Sequence, residues 1–439
     1  MIGKSNMTII GGTRGLGKWM AEHLKNDFNI TITSRNETSG KEIAKELDVA
    51  YNNNNINAIK DADIILFCVP IAFLTDTIKE VAPHAPEGSL LMDVASIKTE
   101  AAEALDKYAP ENVEIMPCHP MFGPRVPTLE RQIIVLTPFE NRSNNWLGRI
   151  KDFLNNANCE IVITTPQEHD KYMSIVQGLT HFSYIALAST IRKLNINVKE
   201  SRNFSSPVYS LMLDMASRIV YQNPYLYYSI QKNNKETENA RKTLIKESIY
   251  LSNLIEEGDE EDFVKSIVKS AQHLDEREEA LIRSDKAISM TSQKANILTK
   301  SIGKEIGIYQ PYTKKTYVGT VEKVTSKNVI LDTCDETLTM NISNIDILSE
   351  SELYEWKKTN RKLEHFNLNV LLPSESDKKY LIQMFKNIDP VIDAEIINTN
   401  INGSKIEYRF RYTVFDAKDK AYVEEYVKGI GGEILSEEH

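Results

Sequence analysis

Met7-Thr8-Ile9-Ile10-Gly11-Gly12-Thr13-Arg14-Gly15-Leu16-Gly17-Lys18 decides how the first third of the chain is read. A short apolar run stops on a cluster of glycines, and an amphipathic segment, Lys18–Lys25, follows at once. A strand that ends in glycines and turns straight into a helix presents backbone N–H groups at a helix N-terminus, where a phosphate is favoured. Outward from this point, Ile30–Thr33, Ile64–Val69 and Leu90–Val94 read as further buried strands, with helices at Lys41–Leu47 and Ala72–Val81 between them. Continuous apolar strands alternating with amphipathic helices give a doubly wound parallel sheet over residues 1–165. Asn52–Asn55 reads as a polar loop with no chemistry of its own.

The fold class predicted is therefore α/β of the Rossmann type, and the glycine loop predicts a dinucleotide. Against the pattern GxGxxG, Gly12 and Gly17 fit and Arg14 takes the middle position. Against GxxxGxG, Gly11, Gly15 and Gly17 fit, as in short-chain dehydrogenases. That family needs a Tyr-xxx-Lys pair. Tyr228/Lys232 and Tyr354/Lys358 have the spacing but lie far from the strand-rich region, so both are read as chance. The cofactor set comprises Gly11, Gly12, Thr13, Arg14, Gly15, Leu16 and Gly17, joined by Ser34 and Arg35 after the second strand and by Val69 and Pro70. An acidic residue after the second strand would bind a ribose diol and repel a 2′-phosphate. Thr31-Ile32-Thr33-Ser34-Arg35-Asn36 has none, so NADP is favoured over NAD.

From 166 to 295 the strand signals give way to helical spacing, with Tyr172, Ile175, Val176, Leu179, Phe182, Ile185 and Ala186 at three- and four-residue steps. Further helices are predicted near 207–222, 224–256 and 260–283, an all-α region of the kind that pairs into a homodimer. After Gln310-Pro311 the composition shifts again: short strands at Tyr317–Val324, Val329–Asp332 and Thr337–Ile342 predict a small β-module over 312–350. A charged connecting helix is placed at 351–365. Residues 366–439 then spell β-α-β-β-α-β, a ferredoxin-like α+β order. No internal repeat is seen.

Four segments carry the chemistry: Met92-Asp93-Val94-Ala95-Ser96-Ile97-Lys98; Pro117-Cys118-His119-Pro120-Met121-Phe122-Gly123-Pro124; Glu168-His169-Asp170-Lys171 with Leu179-Thr180-His181-Phe182; and Ser217-Arg218-Ile219 with Gln222-Asn223-Pro224-Tyr225-Leu226-Tyr227. In this order and rough spacing they resemble the prephenate dehydrogenases of tyrosine biosynthesis, over about residues 5–285. The resemblance implies oxidative decarboxylation of prephenate to 4-hydroxyphenylpyruvate with hydride passed to NAD(P)⁺. It aligns His119 with the family's catalytic histidine, Ser96 with a serine that hydrogen-bonds that histidine or the substrate hydroxyl, and Arg218 and His181 with substrate-binding positions.

The residue types fit this chemistry independently. Oxidising a ring alcohol needs an acceptor near its hydroxyl, and imidazole suits neutral pH. His119 is placed in a loop at the carboxyl edge of the sheet. Prephenate carries two carboxylates, and arginine matches a carboxylate bidentately. Arg218 lies on the otherwise apolar run Leu211–Val220, where its charge calls for a partner. Arg125 could add a contact to the side-chain carboxylate and favour prephenate over arogenate, whose side chain bears an ammonium, or be a surface charge. Lys98 reads equally as a site lysine or a neighbouring helix charge, and His169 as a structural histidine. On one continuous α-helix His169 and His181 would stand about 120° apart, so no metal site is expected. Decarboxylation needs no separate acid, because the developing carbonyl accepts the electrons that CO₂ leaves behind. The protein's tasks are alignment and charge placement.

The formal net charge of the 439 residues is −10, from 52 basic and 62 acidic side chains, which argues against a general nucleic-acid binder. No apolar run approaches the roughly 20 residues of a membrane helix, and the amino terminus shows no secretory signal. Four widely spaced cysteines, Cys68, Cys118, Cys159 and Cys334, suit a reduced cytoplasmic setting. The C-terminal order resembles ACT domains, which bind amino acids, and equally anticodon-binding modules. It suggests a tyrosine or phenylalanine sensor, or an extension of the dimer interface. The rival readings are an arogenate dehydrogenase, a deazaflavin-dependent NADP reductase and a dinucleotide-sensing regulator without turnover.

Overall fold

The computed structural model describes residues 4–333, 335–373, 377–389, 391–402 and 404–435. The chain divides into two compact units, Met1–Arg277 and Glu278–His439. In the first, six parallel strands are β1 (Asn6–Ile10), β2 (Asn29–Thr33), β3 (Ala50–Asn52), β4 (Ile64–Phe67), β5 (Leu90–Asp93) and β6 (Glu114–Ile115). They lie in the order β3-β2-β1-β4-β5-β6. The order reverses between β1 and β4, and in such sheets the ligand crevice opens outside the carboxyl ends of the strands at that reversal. The sheet is sandwiched: Ile9, Ile32, Leu66, Trp19 and Met20 pack on one face, and Ile10, Ile65, Phe67, Ile78 and Leu105 on the other.

Sequence and structure part company at several edges. The first helix runs Gly15–Leu24, starting inside the glycine loop rather than at Lys18. Asn52–Asn55 is no plain loop: Asn52 ends β3, and the Asn54 side chain accepts the Asn57 N–H to cap a short helix, Asn55–Ala58. His119 lies not in a loop but in β7 (Cys118–Pro120), which pairs antiparallel with β8 (Ile133–Leu136); β8 in turn pairs parallel with β9 (Glu160–Ile163).

The helical stretch is more broken than its periodicity suggests. Between the helices Pro166–Met173 and Thr180–Lys193 the chain widens into a π-helical turn, Ser174–Leu179. The expected helix 224–256 is two, Pro224–Asn233 and Lys235–Glu257, because Asn234 leaves the helical conformation and its side chain caps the second. The expected helix 260–283 stops at Leu274, where Asp275 turns left-handed, and a new helix runs Arg277–Lys300. Ile230 closes on Ile71 and Ile97, docking the helical layer on the α/β layer.

The second unit holds two antiparallel sheets. β10 (Glu305–Gln310), β11 (Lys315–Val324), β12 (Asn328–Asp332), β13 (Thr337–Asn341) and β14 (Asp346–Ile347) form the order β13-β12-β11-β10-β14. The sequence reading missed β10, which precedes the proline taken as the boundary. Leu298, near the end of the helix Arg277–Lys300, is buried in this module's core. After the helix Glu350–Asn360, β15 (Glu364–Pro373), β16 (Val391–Asn402), β17 (Lys405–Val414) and β18 (Glu433–Leu435) lie in the order β16-β17-β15-β18. With Leu381 and Phe385 of one helix and Val423 and Val427 of the other in one core, this is the ferredoxin-like arrangement.

Candidate active site

The glycine loop lies at the reversal of strand order. Gly11 and Gly15 have φ of +88° and +53°, a region open to glycine and costly for other residues. A Cβ on Gly17 would stand 2.4 Å from the Gly11 carbonyl oxygen, and one on Gly12 2.6 Å from Ile32. The loop can pass this close to β2 and to the first helix only because it lacks side chains. A Cβ on Gly15 meets nothing within 4 Å, so the helix N-terminus opens outward there. This cradle fits a dinucleotide pyrophosphate: Gly11–Gly17 would hold it by backbone N–H groups, with Val69 and Pro70 in the turn after β4 across the crevice. Pro70 precedes the helix Ile71–Val81. Arg14 is exposed at the cap of the first helix, and Thr13 and Leu16 are half-buried. Arg35 is exposed and lies over the Phe73 ring at 4.9 Å, while the Ser34 hydroxyl donates to the Asn36 carbonyl at 2.7 Å.

His119 is buried, with 3% of its surface exposed. Its Nδ1 lies 2.9 Å from Nε2 of His169, and its Nε2 lies 3.4 Å from the Gln177 amide nitrogen. His169 Nδ1 meets Asp170 Oδ1 at 2.8 Å. The Asp170 carboxylate also accepts the backbone N–H groups of Lys98 and Thr99, each at 2.8 Å, at the start of the helix Thr99–Tyr108. Burial alone would raise the Asp170 carboxyl, but these donors outweigh it and hold it below the ordinary carboxylate value. Burial above all, and with it the Lys98 charge, keeps His119 well below the usual imidazole range, so it is neutral at physiological pH.

Lys98 is no peripheral helix charge. It is wholly buried, pairs with Asp93 and donates to the Cys118 carbonyl at 2.7 Å. Cys118 itself donates to the Asp93 carbonyl, and burial pushes its thiol up to about 12, which makes it inert. Cys68 and Cys159 are likewise unpaired thiols; Cys334 lies outside the described residues. Ser96 is half-buried in the turn after β5, and among the described residues no hydrogen bond joins it to His119. The partners of His119 are His169 and Gln177, which leaves the substrate hydroxyl as the other expected partner of Ser96.

The π-helical turn brings Gln177 to His119 and breaks the continuous helix on which the 120° separation of His169 and His181 was reckoned. Its width is supported from outside: the Gln231 side chain donates to the Gly178 carbonyl at 2.7 Å, and a Cβ on Gly178 would meet Thr237 at 2.7 Å. Such turns are frequent at functional sites. Four residues on, His181 packs edge-on against Tyr227 at 4.7 Å between centroids, and its Nδ1 is buried with no partner. Burial raises the Tyr227 hydroxyl pKa and the nearby Arg218 charge lowers it. His119 thus meets Gln177, and His181 meets Tyr227, whose hydroxyl feels the Arg218 charge.

Arg218 departs from expectation in one respect. It is exposed, and among the described residues nothing pairs with it. Arg125 is also exposed, in a loop tied to the first helix by a 2.8 Å bond from the Trp19 indole N–H to the Val126 carbonyl. Sequence reasoning missed Gln177 and the partnership of His169 with Asp170, and gave Tyr227 no role beyond its place in a motif. The adjacent His-Asp pair was the only local signal for any of them.

Comparison with known proteins identifies the family. A model described as prephenate dehydrogenase, nucleotide-binding domain, matches residues 20–163, and one described as prephenate dehydrogenase, dimerization domain, matches 165–269. A Methanocaldococcus jannaschii protein named "Probable arogenate/prephenate dehydrogenase" is 37% identical over 98% of this chain and 96% of its own length. The T-protein of Haemophilus influenzae is 27% identical over 60% of this chain and 65% of its own. A crystal structure of prephenate dehydrogenase from A. aeolicus in complex with hydroxyphenyl propionate and NAD+ shares the fold over 62% of this chain and 98% of that one, with a TM-score of 0.52 at 19% identity. The M. jannaschii relative also spans the region after 285, where the sequence reading ended the resemblance.

Proposed function

The chain belongs to the prephenate dehydrogenase family, and on that premise we propose that His119 is the base of an oxidative decarboxylation that turns prephenate into 4-hydroxyphenylpyruvate for tyrosine biosynthesis. The observation that carries this reading is a buried, neutral imidazole beside Gln177, in a helical layer that also holds His181, Tyr227 and the exposed, unpaired Arg218. A nicotinamide dinucleotide bound at the glycine cradle supplies the acceptor for hydride. His119 accepts the hydrogen bond of the ring hydroxyl and draws off its proton as the ring carbon is oxidised. The unpaired guanidinium of Arg218 grips one carboxylate, and His181 offers its unpartnered nitrogen to the substrate. Ser96, half-buried in the turn after β5, is assigned to the substrate hydroxyl.

NADP is favoured over NAD, because Arg14 and Arg35 are exposed cations and the turn Ser34-Arg35-Asn36 after β2 carries no carboxylate. Prephenate is favoured over arogenate on the strength of Arg125, whose charge repels an ammonium. Rates measured at 340 nm with prephenate and arogenate, each with NAD⁺ and NADP⁺, test both preferences. Turnover of arogenate alone would overturn the substrate reading, and binding without turnover would favour the sensor.

The functional unit is a homodimer joined through the helical layer. The helix Thr180–Lys193 buries none of its residues fully in one chain, and Val208, Leu211, Ile245, Ile249, Ile267 and Val268 are exposed on its neighbours. Light scattering should give twice the 50.0 kDa chain mass. The C-terminal ferredoxin-like module is read as a tyrosine sensor. Tyrosine titration that leaves activity unchanged counts against that role. The three described cysteines, all unpaired, suit a cytoplasmic setting.

A further inference from the structure

We propose that His169 and Asp170 are positioning residues for His119: they hold it in the tautomer whose bare Nε2 faces the substrate alcohol, and His169 shares the proton that His119 borrows. This inference rests on the dehydrogenase reading above.

The protons of the hydrogen-bond chain are assigned from its anionic end. An ionised carboxylate only accepts, so the hydrogen between Asp170 and His169 sits on His169 Nδ1. In the proposed arrangement His169 Nε2, which faces His119 Nδ1 at 2.9 Å, carries no hydrogen. His119 therefore donates from Nδ1, which leaves its own Nε2 without a proton. At that end stands the Gln177 amide nitrogen, a donor, at 3.4 Å. The direction is set at the far end, where two backbone N–H groups keep Asp170 charged. The Asn234 side chain donates to the Asp170 carbonyl at 2.8 Å and fixes the backbone from the other side.

The reaction itself calls for a proton store. Prephenate loses a hydride and CO₂, and its alcohol becomes a phenol, so no net proton is released and the base must return what it takes. As the alcohol O–H breaks, Nε2–H forms on His119. As Nδ1–H of His119 breaks, Nε2–H forms on His169, and the positive charge rests beside Asp170. The reverse shift protonates the phenolate once the ring is aromatic. The charge would be costly on His119, which is buried and faces the Lys98 ammonium. The groups around His119 are Asp93, Lys98 and Cys118 from β5, its following turn and β7, and His169, Asp170 and Gln177 from the helical side. Of the two carboxylates, Asp93 is engaged by Lys98, and Asp170 alone can neutralise a cation on the relay.

Two substitutions separate the roles. H169L removes the acceptor for His119 Nδ1. H169Q keeps an acceptor toward His119 and a donor toward Asp170 but cannot take up a proton. Expected for H169L is a kcat lower by about 10²–10⁴-fold with the prephenate KM within about threefold. H169Q should recover about tenfold or more of that loss, stay below wild type, and move the acid limb of kcat. In ¹⁵N NMR of the full-length free protein, His119 should carry its proton on Nδ1. A wild-type His119 protonated on Nε2, or H169L and H169Q with the wild-type kcat and pH profile, would overturn the proposal. If the tautomer stands but prephenate is not oxidised, the substrate reading fails while the positioning role holds.

Discussion

Lys98 and Asp93 form an ion pair in which neither side chain reaches solvent, and the same ammonium donates to the carbonyl of Cys118, the residue before His119, at 2.7 Å. The pair ties the end of β5 to β7 and so places the imidazole. Breaking a buried pair leaves a carboxylate dry and uncompensated, at a cost of about 3–5 kcal/mol. K98M should lose that much in urea unfolding, and D93N combined with K98M should recover part of it. A K98M protein within about 1 kcal/mol of wild type would mean the pair does not brace β7.

His119 should set the acid limit of activity. Only its neutral form can accept the hydroxyl proton, and its pKa is depressed by burial above all and with it by the Lys98 charge. The acid limb of kcat/KM therefore lies below the ordinary imidazole value of 6.5, with activity level above it. The stability sign agrees: a depressed folded pKa contributes stability that is fully present above the unfolded value and lost as pH falls through the folded one. A kcat/KM profile between about pH 5 and 9 checks this, and an acid limb above about 7 would contradict it.

Arg218 and His119 should separate binding from chemistry. A charge-assisted bond to a carboxylate is worth about 1.5–3 kcal/mol, so R218A should raise the prephenate KM by about 10–100-fold with little change in kcat. H119N should do the reverse, lowering kcat by about 10²–10⁴-fold. Equal effects on both parameters in both variants would place neither residue as assigned.

The glycine cradle should tolerate side chains unevenly. G17A puts a Cβ at 2.4 Å from the Gly11 carbonyl oxygen, so backbone must move and dinucleotide affinity should fall by about tenfold or more. At Gly123 a Cβ meets nothing within 4 Å and φ is ordinary, so G123A should bind the dinucleotide as wild type does. Nicotinamide fluorescence titration gives both numbers, and a G17A protein with wild-type affinity would remove the close approach from the account.

Much of the architecture was legible because it is periodic. Buried strands read as short apolar runs, and the β-α-β-β-α-β order near the C-terminus appears as alternating signals of period two and 3.6. Those patterns do not report interruptions. Asn234 and Asp275 break helices through local capping and a left-handed turn, and both look like ordinary helix-surface residues in a one-dimensional pattern. β10 escaped notice because Gln310-Pro311 looked like a boundary, although Pro311 lies just past the last strand residue.

The site divides along the same line. Taken alone, the sequence determined the parallel sheet, the glycine turn and the residue types that serve an alcohol oxidation, because each depends on neighbours a few positions away. Tertiary structure decided the rest. His169 meets His119 across 50 residues of chain, Lys98 is drawn inside by Asp93 and Cys118, and a π-helical turn carries Gln177 to the imidazole. Burial and hydrogen-bond direction are properties of the assembled packing, and they set which nitrogen of His119 bears the proton.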